Sequence, residues 1–307
     1  MKNKILFSLI LGAILFQSCK NENPVIAESE NAEEVISNVN LGDQQLNITI
    51  LLDLSDRVEP TKYPAKPEHY QRDIEIVSYF TELFKQEMSN KGAYKSDGKI
   101  KVIFSPRPAD DEINTIASNL NVDLSKARDN KHKKEIYDNI TIDFKSNLEK
   151  IYSKTIETKK YPGSDIWRFF KNDVADYALA TDPVYRNILV VLTDGYLFHE
   201  DSKDKNKNRT AYLLPNTVQK NGLRNSNWQS KFQEGDYGFI STREDLENLE
   251  VLVLEISPSP SHKNDEDVIK AYLEKWFQEM NVKNYEIYNS DLPEYTKTRI
   301  SKFMTNI

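Results

Sequence analysis

Three short, almost wholly apolar runs limit what this chain can fold into more than any other feature. They lie at residues 48–52 (ITILL), 187–192 (NILVVL) and 249–257 (LEVLVLEIS). Each run is too short for a stable isolated helix and is rich in β-branched and aliphatic side chains, so it predicts a strand that is covered on both faces. Such strands belong to parallel sheets with helices packed on either side.

Segments with helical periodicity separate these strands. Apolar residues recur at the spacing of one helix face in six predicted helices, at residues 67–88, 110–120, 134–157, 164–179, 265–280 and 292–304. Two further strands are predicted at 98–104 and 285–288. The alternation predicts an α/β fold with a doubly wound, mostly parallel central sheet and helices on both faces. One domain at 46–307 holds every element, with a long polar excursion at 199–240.

The N-terminus has the pattern of an export signal. Two lysines precede an apolar run at residues 5–16, which is too short to cross a bilayer as a permanent helix, and Cys19 follows a small serine. This resembles a bacterial lipoprotein signal, in which the cysteine is lipidated and becomes the mature N-terminus. The alternative is an ordinary signal peptide with an incidental cysteine. The resemblance implies a signal peptide at 1–19 and a lipid anchor to a membrane of the cell envelope, outside the cytoplasm.

The composition favours a tethered acidic protein over a nucleic-acid binder. Residues 20–45 are polar and acidic with little apolar periodicity, so they predict a disordered tether. The whole chain has a formal net charge of -7, whereas proteins that bind nucleic acid draw their affinity from basic patches on phosphate. We therefore expect no nucleic-acid partner.

Oxygen-bearing side chains follow the predicted strands in three fragments: DLSDR after the first strand, GSD at a helix start and TDG after the central strand at 187–192. They supply Asp53, Ser55, Ser164 and Asp194. An α/β sheet brings the carboxyl ends of its parallel strands to one edge, where ligands bind. Small carboxylates and hydroxyls are the donors that Mg²⁺ or Mn²⁺ prefers, so these four residues are candidate metal ligands.

The ordered set of fragments resembles the von Willebrand factor A-type domain family, whose adhesion site uses an Asp-x-Ser-x-Ser strand end, a distant Thr or Ser and an Asp often written Thr-Asp-Gly. The resemblance covers the whole predicted domain. It matches Asp53 and Ser55 to the first motif, Ser164 to the middle hydroxyl and Asp194 to the last aspartate. It implies a divalent-metal site that holds a protein or peptide partner.

Arg57 departs from that pattern because it stands where the second serine of the first motif belongs. A guanidinium cannot ligate a cation, and it pairs well with carboxylates. Three interpretations remain open: Arg57 replaces the ion by pairing with the site aspartates, it points to solvent or pairs with Asp56 beside a bound ion, or these residues are ordinary surface charge. Ser164 and Asp165 also suit a helix N-terminus, as cap and favourable charge.

The favoured function is a lipid-anchored extracytoplasmic interaction module with a metal site, and the alternative is a metal-free scaffold of the same fold. A metal-dependent hydrolase is less favoured, because its common Asp-x-Asp motif needs an acid where Ser55 stands. No Gly-x-Ser-x-Gly or phosphate-binding glycine motif occurs in the sequence. His199, Glu200 and Asp201 lack a second histidine at metal spacing and predict a solvated loop.

Overall fold

The computed structural model describes residues 39–262 and 264–305. The predicted signal peptide, the lipidation candidate Cys19 and most of the predicted tether lie outside these described residues. The strands, numbered in chain order, are β1 Gln45–Leu52, β2 Lys99–Phe104, β3 Asn121–Asp123, β4 Tyr185–Leu192, β5 Lys205–Asn206, β6 Arg209–Thr210, β7 Gly238–Phe239, β8 Leu249–Ile256 and β9 Asn284–Asn289. The α-helices are α1 His69–Lys95, α2 Asp111–Ser118, α3 Asn130–Thr158, α4 Ile166–Arg168, α5 Val174–Ala178, α6 Pro215–Lys220, α7 Trp228–Glu234, α8 Asp265–Glu279 and α9 Pro293–Thr305.

The central sheet has the strand order β3-β2-β1-β4-β8-β9. Every neighbouring pair is parallel except β2 and the short edge strand β3, which sequence patterning did not predict. The chain moves outward from β1 to β3 and then crosses back to β4, so the strand order reverses between β1 and β4. Ligands of open α/β sheets bind in the crevice at such a reversal.

The apolar runs are buried on both faces, as their composition predicts. Seven of the eight residues of β1, β4 and β8 are buried in each strand. One face packs with α1, α2, α3 and α9 in a first core. The other face packs with α8, the segment from α4 to α5 and the excursion in a second core. The doubly wound α/β architecture is therefore confirmed.

Several element boundaries differ from the patterning. Helix α1 extends beyond residue 88 to Lys95, across a kink at Gly92 where φ is 71°. The segment predicted as one helix at 164–179 is divided, because a π-helical turn at Phe169–Asp173 separates α4 from α5. Val39 and Leu41 are buried in the first core, so packed chain begins before residue 46.

The polar excursion after β4 is ordered in the structure. It contains α6, α7 and a three-stranded sheet of order β5-β6-β7. Apolar side chains spaced widely through the polar sequence, including Leu213, Val218, Leu223 and Phe232, bury it against α8. Among the described residues, no helix is long and apolar enough to cross a membrane.

Candidate functional site

Asp53 and Asp194 lie at the carboxyl ends of the two strands between which the strand order reverses. Asp53 directly follows β1, and its backbone N–H donates to the carbonyl of Leu192 in β4 at 3.1 Å. Asp194 lies two residues beyond Leu192. The parallel pairing of β1 and β4 therefore brings the two predicted aspartates to neighbouring positions in the crevice.

Neutral donors alone contact these two carboxylates. Asp53 is fully buried; its Oδ1 accepts from the backbone N–H of Ser55 at 2.8 Å and its Oδ2 from the Thr193 hydroxyl at 2.8 Å. Asp194 Oδ1 accepts from the backbone N–H of Tyr196 at 2.9 Å. Within the described part of the chain, neither carboxylate forms an ion pair. The site consequently carries negative charge that no side chain neutralises directly.

The two carboxylates disfavour each other's charge. Burial, followed by the negative charge of Asp53, raises the pKa of Asp194 to about 7. Two like charges that share a low-dielectric site always push at least one pKa upward. Since a divalent cation between them would remove this repulsion, the arrangement suits a cation.

Arg57 does not pair with either site carboxylate. It is 2% exposed, and its Nη2 donates to Asp73 Oδ2 at 2.5 Å, while its Nε donates to the backbone carbonyl of Asp53 at 3.1 Å. The Tyr152 hydroxyl donates to the same Asp73 oxygen at 2.7 Å. Asp56, the other partner considered for Arg57, instead pairs with exposed Lys62 at 2.9 Å. The guanidinium therefore links the backbone at Asp53 to the buried Asp73 carboxylate, beneath the site.

A second arginine–carboxylate pair lies at the end of the next strand, and sequence reasoning missed it. Arg72 on α1 donates through Nε to Glu255 Oε2 at 2.7 Å. Glu255, at the carboxyl end of β8, is 1% exposed and has a φ of 73°, a left-handed backbone conformation that is uncommon for glutamate. His69 packs against this pair, and burial and nearby arginines lower its pKa to about 4. Arg72 and Asp73 are adjacent on α1, and each belongs to one of the two buried pairs.

Ser164 is buried with an unsatisfied hydroxyl. Its backbone N–H donates to the carbonyl of Phe198 at 3.0 Å, which joins the GSD loop to the chain that follows Asp194. The residue is 2% exposed, yet its Oγ has no hydrogen-bond partner. Buried polar groups are normally satisfied, so this atom needs a ligand or water.

Asp165 belongs to the scaffold of the site. It is 1% exposed, its backbone N–H donates to the carbonyl of Ser105 at 2.9 Å, and the Ser105 hydroxyl donates back to its carbonyl at 3.0 Å. Its Oδ2 lies 3.3 Å from both Arg168 Nε and His199 Nδ1. The predicted solvated loop holds for exposed Glu200 and Asp201, whereas His199 is only partly exposed, because its ring lies against the buried Asp165 carboxylate.

Glycine is required in the TDG fragment. Gly195 has a φ of 94°, and a Cβ built on it would lie 2.5 Å from Ile269 Cγ2 on α8. Any side chain would push α8 away from the end of β4. The glycine thus keeps Asp194 close to the sheet edge.

The donors present fit a hard divalent cation of the magnesium type. Two carboxylates, the unsatisfied Ser164 hydroxyl and the Ser55 hydroxyl provide four oxygens, and such ions retain waters at other positions. No group of three or more His, Cys, Asp or Glu side chains suited to a metal occurs among the described residues. A cation here would therefore depend on hydroxyls and water as much as on carboxylates.

No model of a known protein family matches the chain, and no curated protein matches it.

Proposed function

We propose that the protein is a lipid-anchored, extracytoplasmic interaction module that holds a protein or peptide partner through a divalent cation. The cation is Mg²⁺ or Mn²⁺, and its ligands are Asp53, Ser55, Ser164 and Asp194. One observation carries the proposal: two neighbouring carboxylates without a cationic partner lie at the strand reversal, although a buried arginine lies directly beneath them. The ordered fragments that resemble the von Willebrand factor A-type domains agree with it.

The ligand set leaves room for a partner. Hard cations with few protein carboxylates keep coordination positions for water or for an incoming oxygen. An oxygen from the partner, such as one of a carboxylate, would fill one of these positions in place of water. Partly exposed Tyr63, whose pKa is raised by burial and by Asp56 and Asp194, supplies contact surface beside the crevice.

The lipid anchor supplies the location in this proposal. Cys19, the only cysteine, would carry acyl chains, and the polar segment after it would set the reach of the domain from the membrane. The expected place is the bacterial cell envelope, on the extracytoplasmic side of a membrane.

The second candidate is a metal-free scaffold, and the position of Arg57 favours it. The guanidinium is fully buried and adds positive potential near Asp53 and Asp194, although it does not contact their carboxylates. In this version the long-range field of Arg57 is sufficient to keep the site stable. Metal dependence separates the two candidates.

The test is thermal melting and isothermal titration with Mg²⁺ and Mn²⁺. A ligand that binds only the folded state at about 100 times its Kd stabilises it by about 2.7 kcal/mol. We expect this stabilisation in the wild type and its loss in Asp194→Asn. The control is Asp143→Asn, which changes an exposed carboxylate on α3 and should respond like the wild type. A wild type that ignores both ions at millimolar concentration would establish the metal-free scaffold instead.

A further inference from the structure

A separate cleft of about 570 Å³ lies between the β3 edge of the sheet and α5, near the amino ends of the strands. Its floor is the face of β2 that bears Lys99 and Lys101, and its far wall is the segment from Tyr177 to Ala180. The volume falls in the range of small-molecule sites, which combine apolar walls with a few convergent polar groups. The cleft is independent of the site at the carboxyl edge.

Lys101 is a cation without a carboxylate partner. It is partly buried, and among the described residues its ammonium makes neither an ion pair nor a hydrogen bond. Its Nζ lies 5.7 Å from the centre of the Tyr177 ring, and that of neighbouring Lys99 lies 4.6 Å from the Tyr185 ring. Burial, followed by the charge of Lys99, lowers the pKa of Lys101, and the charge of Asp123 offsets this only in part. An anion in the cleft would relieve this unfavourable environment.

Two acidic residues, Asp123 and Asp176, line the cleft. Asp123 lies 3.7 Å from Lys99 Nζ and 3.5 Å from Lys126 Nζ, and it also accepts from the Ser125 hydroxyl. Asp176 is exposed on the wall beside Tyr177. The floor of the cleft therefore carries more positive than negative charge, because Asp123 is shared between Lys99 and Lys126 and Asp176 is exposed at the rim.

The wall opposite the lysines is held rigidly. Buried Thr49 donates through Oγ1 to the carbonyl of Tyr177 at 2.9 Å, and buried Asn47 donates through Nδ2 to the carbonyl of Ala178 at 3.1 Å. These bonds satisfy the last carbonyls of α5. They also fix the backbone from which Tyr177, Leu179 and Ala180 line the cleft.

We propose that this cleft binds a small organic anion, with its carboxylate or phosphate group on Lys101 and its apolar part against Tyr177, Leu179 and Ala180. The two walls match the two halves of such a molecule. An isolated inorganic ion would use only the lysine, so it should bind more weakly than an aryl anion.

The test is isothermal titration of the full chain after treatment with EDTA and dialysis to remove it, so that neither a cation at the other site nor the chelator enters the measurement. The probes are phenyl phosphate and benzoate, with phenol and inorganic phosphate for comparison. We expect one or both aryl anions to bind, and phenol not to. Lys101→Met should weaken binding about tenfold or more, because it removes the charged hydrogen-bond donor to the anion. Lys150→Met, on an exposed face of α3, should bind like the wild type.

Lys101→Arg is the second control, because it keeps the positive charge at this position. It should retain part of the binding that Lys101→Met loses. Circular dichroism would establish that each variant folds. Equal binding by Lys101→Met and the wild type would overturn the proposal, as would failure of both aryl anions to bind at about 10 mM.

Discussion

Two pairs of carboxylates around the carboxyl edge of the sheet have opposite electrostatic surroundings. Asp73 and Glu255 are each joined to a buried arginine, at 2.5 and 2.7 Å. Asp53 and Asp194 accept hydrogen bonds from a hydroxyl and from backbone N–H groups only. The first pair is neutralised within the fold, whereas the second, made of buried Asp53 and partly buried Asp194, has no cationic side chain bound to it.

This difference in pairing distinguishes carboxylates that stabilise the fold from carboxylates that are candidates for binding a ligand. An uncompensated buried charge is costly, and ordinary buried acids are paired or hydrogen-bonded to donors that neutralise them. Arg57 contacts the backbone of Asp53 but not its carboxylate. Its guanidinium donates to the Asp73 carboxylate and to the carbonyls of Asp53 and Leu192 at the ends of β1 and β4. The unpaired aspartates therefore point to something that the chain does not itself supply.

The largest expected effect comes from breaking an arginine pair. Arg57→Met leaves Asp73 buried without its cation, so we expect the free energy of unfolding to fall by about 3–5 kcal/mol. Urea denaturation measures this. Arg128→Met is the matched control, because Arg128 is 76% exposed and its contact with Glu135 at 4.0 Å should contribute little. Equal stability of the two variants would remove the structural role given to Arg57.

The double variant Arg57→Met with Asp73→Asn sharpens the same test. It removes both charges, so it should recover part of the stability that the single variant loses. If it is no more stable than the single variant, the loss comes from packing and not from the unpaired Asp73 carboxylate.

These two pairs also show what sequence could and could not predict. Asp53 and Asp194 follow apolar runs, and the shared edge of parallel strands brought them together as expected. The partners of the arginines were not predictable, because they depend on how α1 is rotated against the sheet. Glu255 reaches Arg72 only through a positive φ at the end of β8, which no local pattern signals.

Contacts between elements also account for the other differences from the sequence-based predictions. His199 was expected in solvent, but a backbone bridge from Ser164 to Phe198 draws the loop against Asp165. Strand β3 has only three residues, which is too short for the alternation of apolar and polar residues to indicate a strand. Patterns in the chain report burial within an element, whereas these features arise from contacts between elements.

A smaller effect is expected from the second pair, and its direction depends on pH. The pKa of Asp194 is about 7 in the folded protein, above its ordinary value near 4, so the folded state holds a proton that the unfolded state releases. This stabilisation is complete below about pH 4 and is lost as pH rises to about 7. In EDTA, Asp194→Asn should therefore match the wild type at pH 4 and exceed its stability by about 1–3 kcal/mol at pH 8.

Urea denaturation at several pH values measures that difference. Taking the difference between variant and wild type removes the contribution of other groups, such as Glu87, whose pKa burial also raises to about 7. Asp143→Asn should show no such divergence with pH. A variant that is less stable than the wild type at pH 8 would mean that Asp194 is neutralised within the fold, and the contrast between the two pairs would fail.

The smallest expected effect comes from two serine hydroxyls at the same edge of the sheet, one without and one with a hydrogen-bond partner. Ser164 Oγ is buried without a partner, whereas Ser105 Oγ donates to the carbonyl of Asp165 at 3.0 Å. Ser105→Ala should cost about 1 kcal/mol, because it leaves that carbonyl without this donor. Ser164→Ala breaks no hydrogen bond, so in EDTA its unfolding free energy should stay within about 0.5 kcal/mol of the wild type.

In titration with Mg²⁺ or Mn²⁺ we expect the opposite ranking of the two variants. Ser164→Ala should weaken ion binding, while Ser105→Ala should leave it unchanged. A Ser164→Ala variant that binds the ion normally would exclude this hydroxyl from the ligand set and leave Asp53, Ser55 and Asp194 to hold the ion with water.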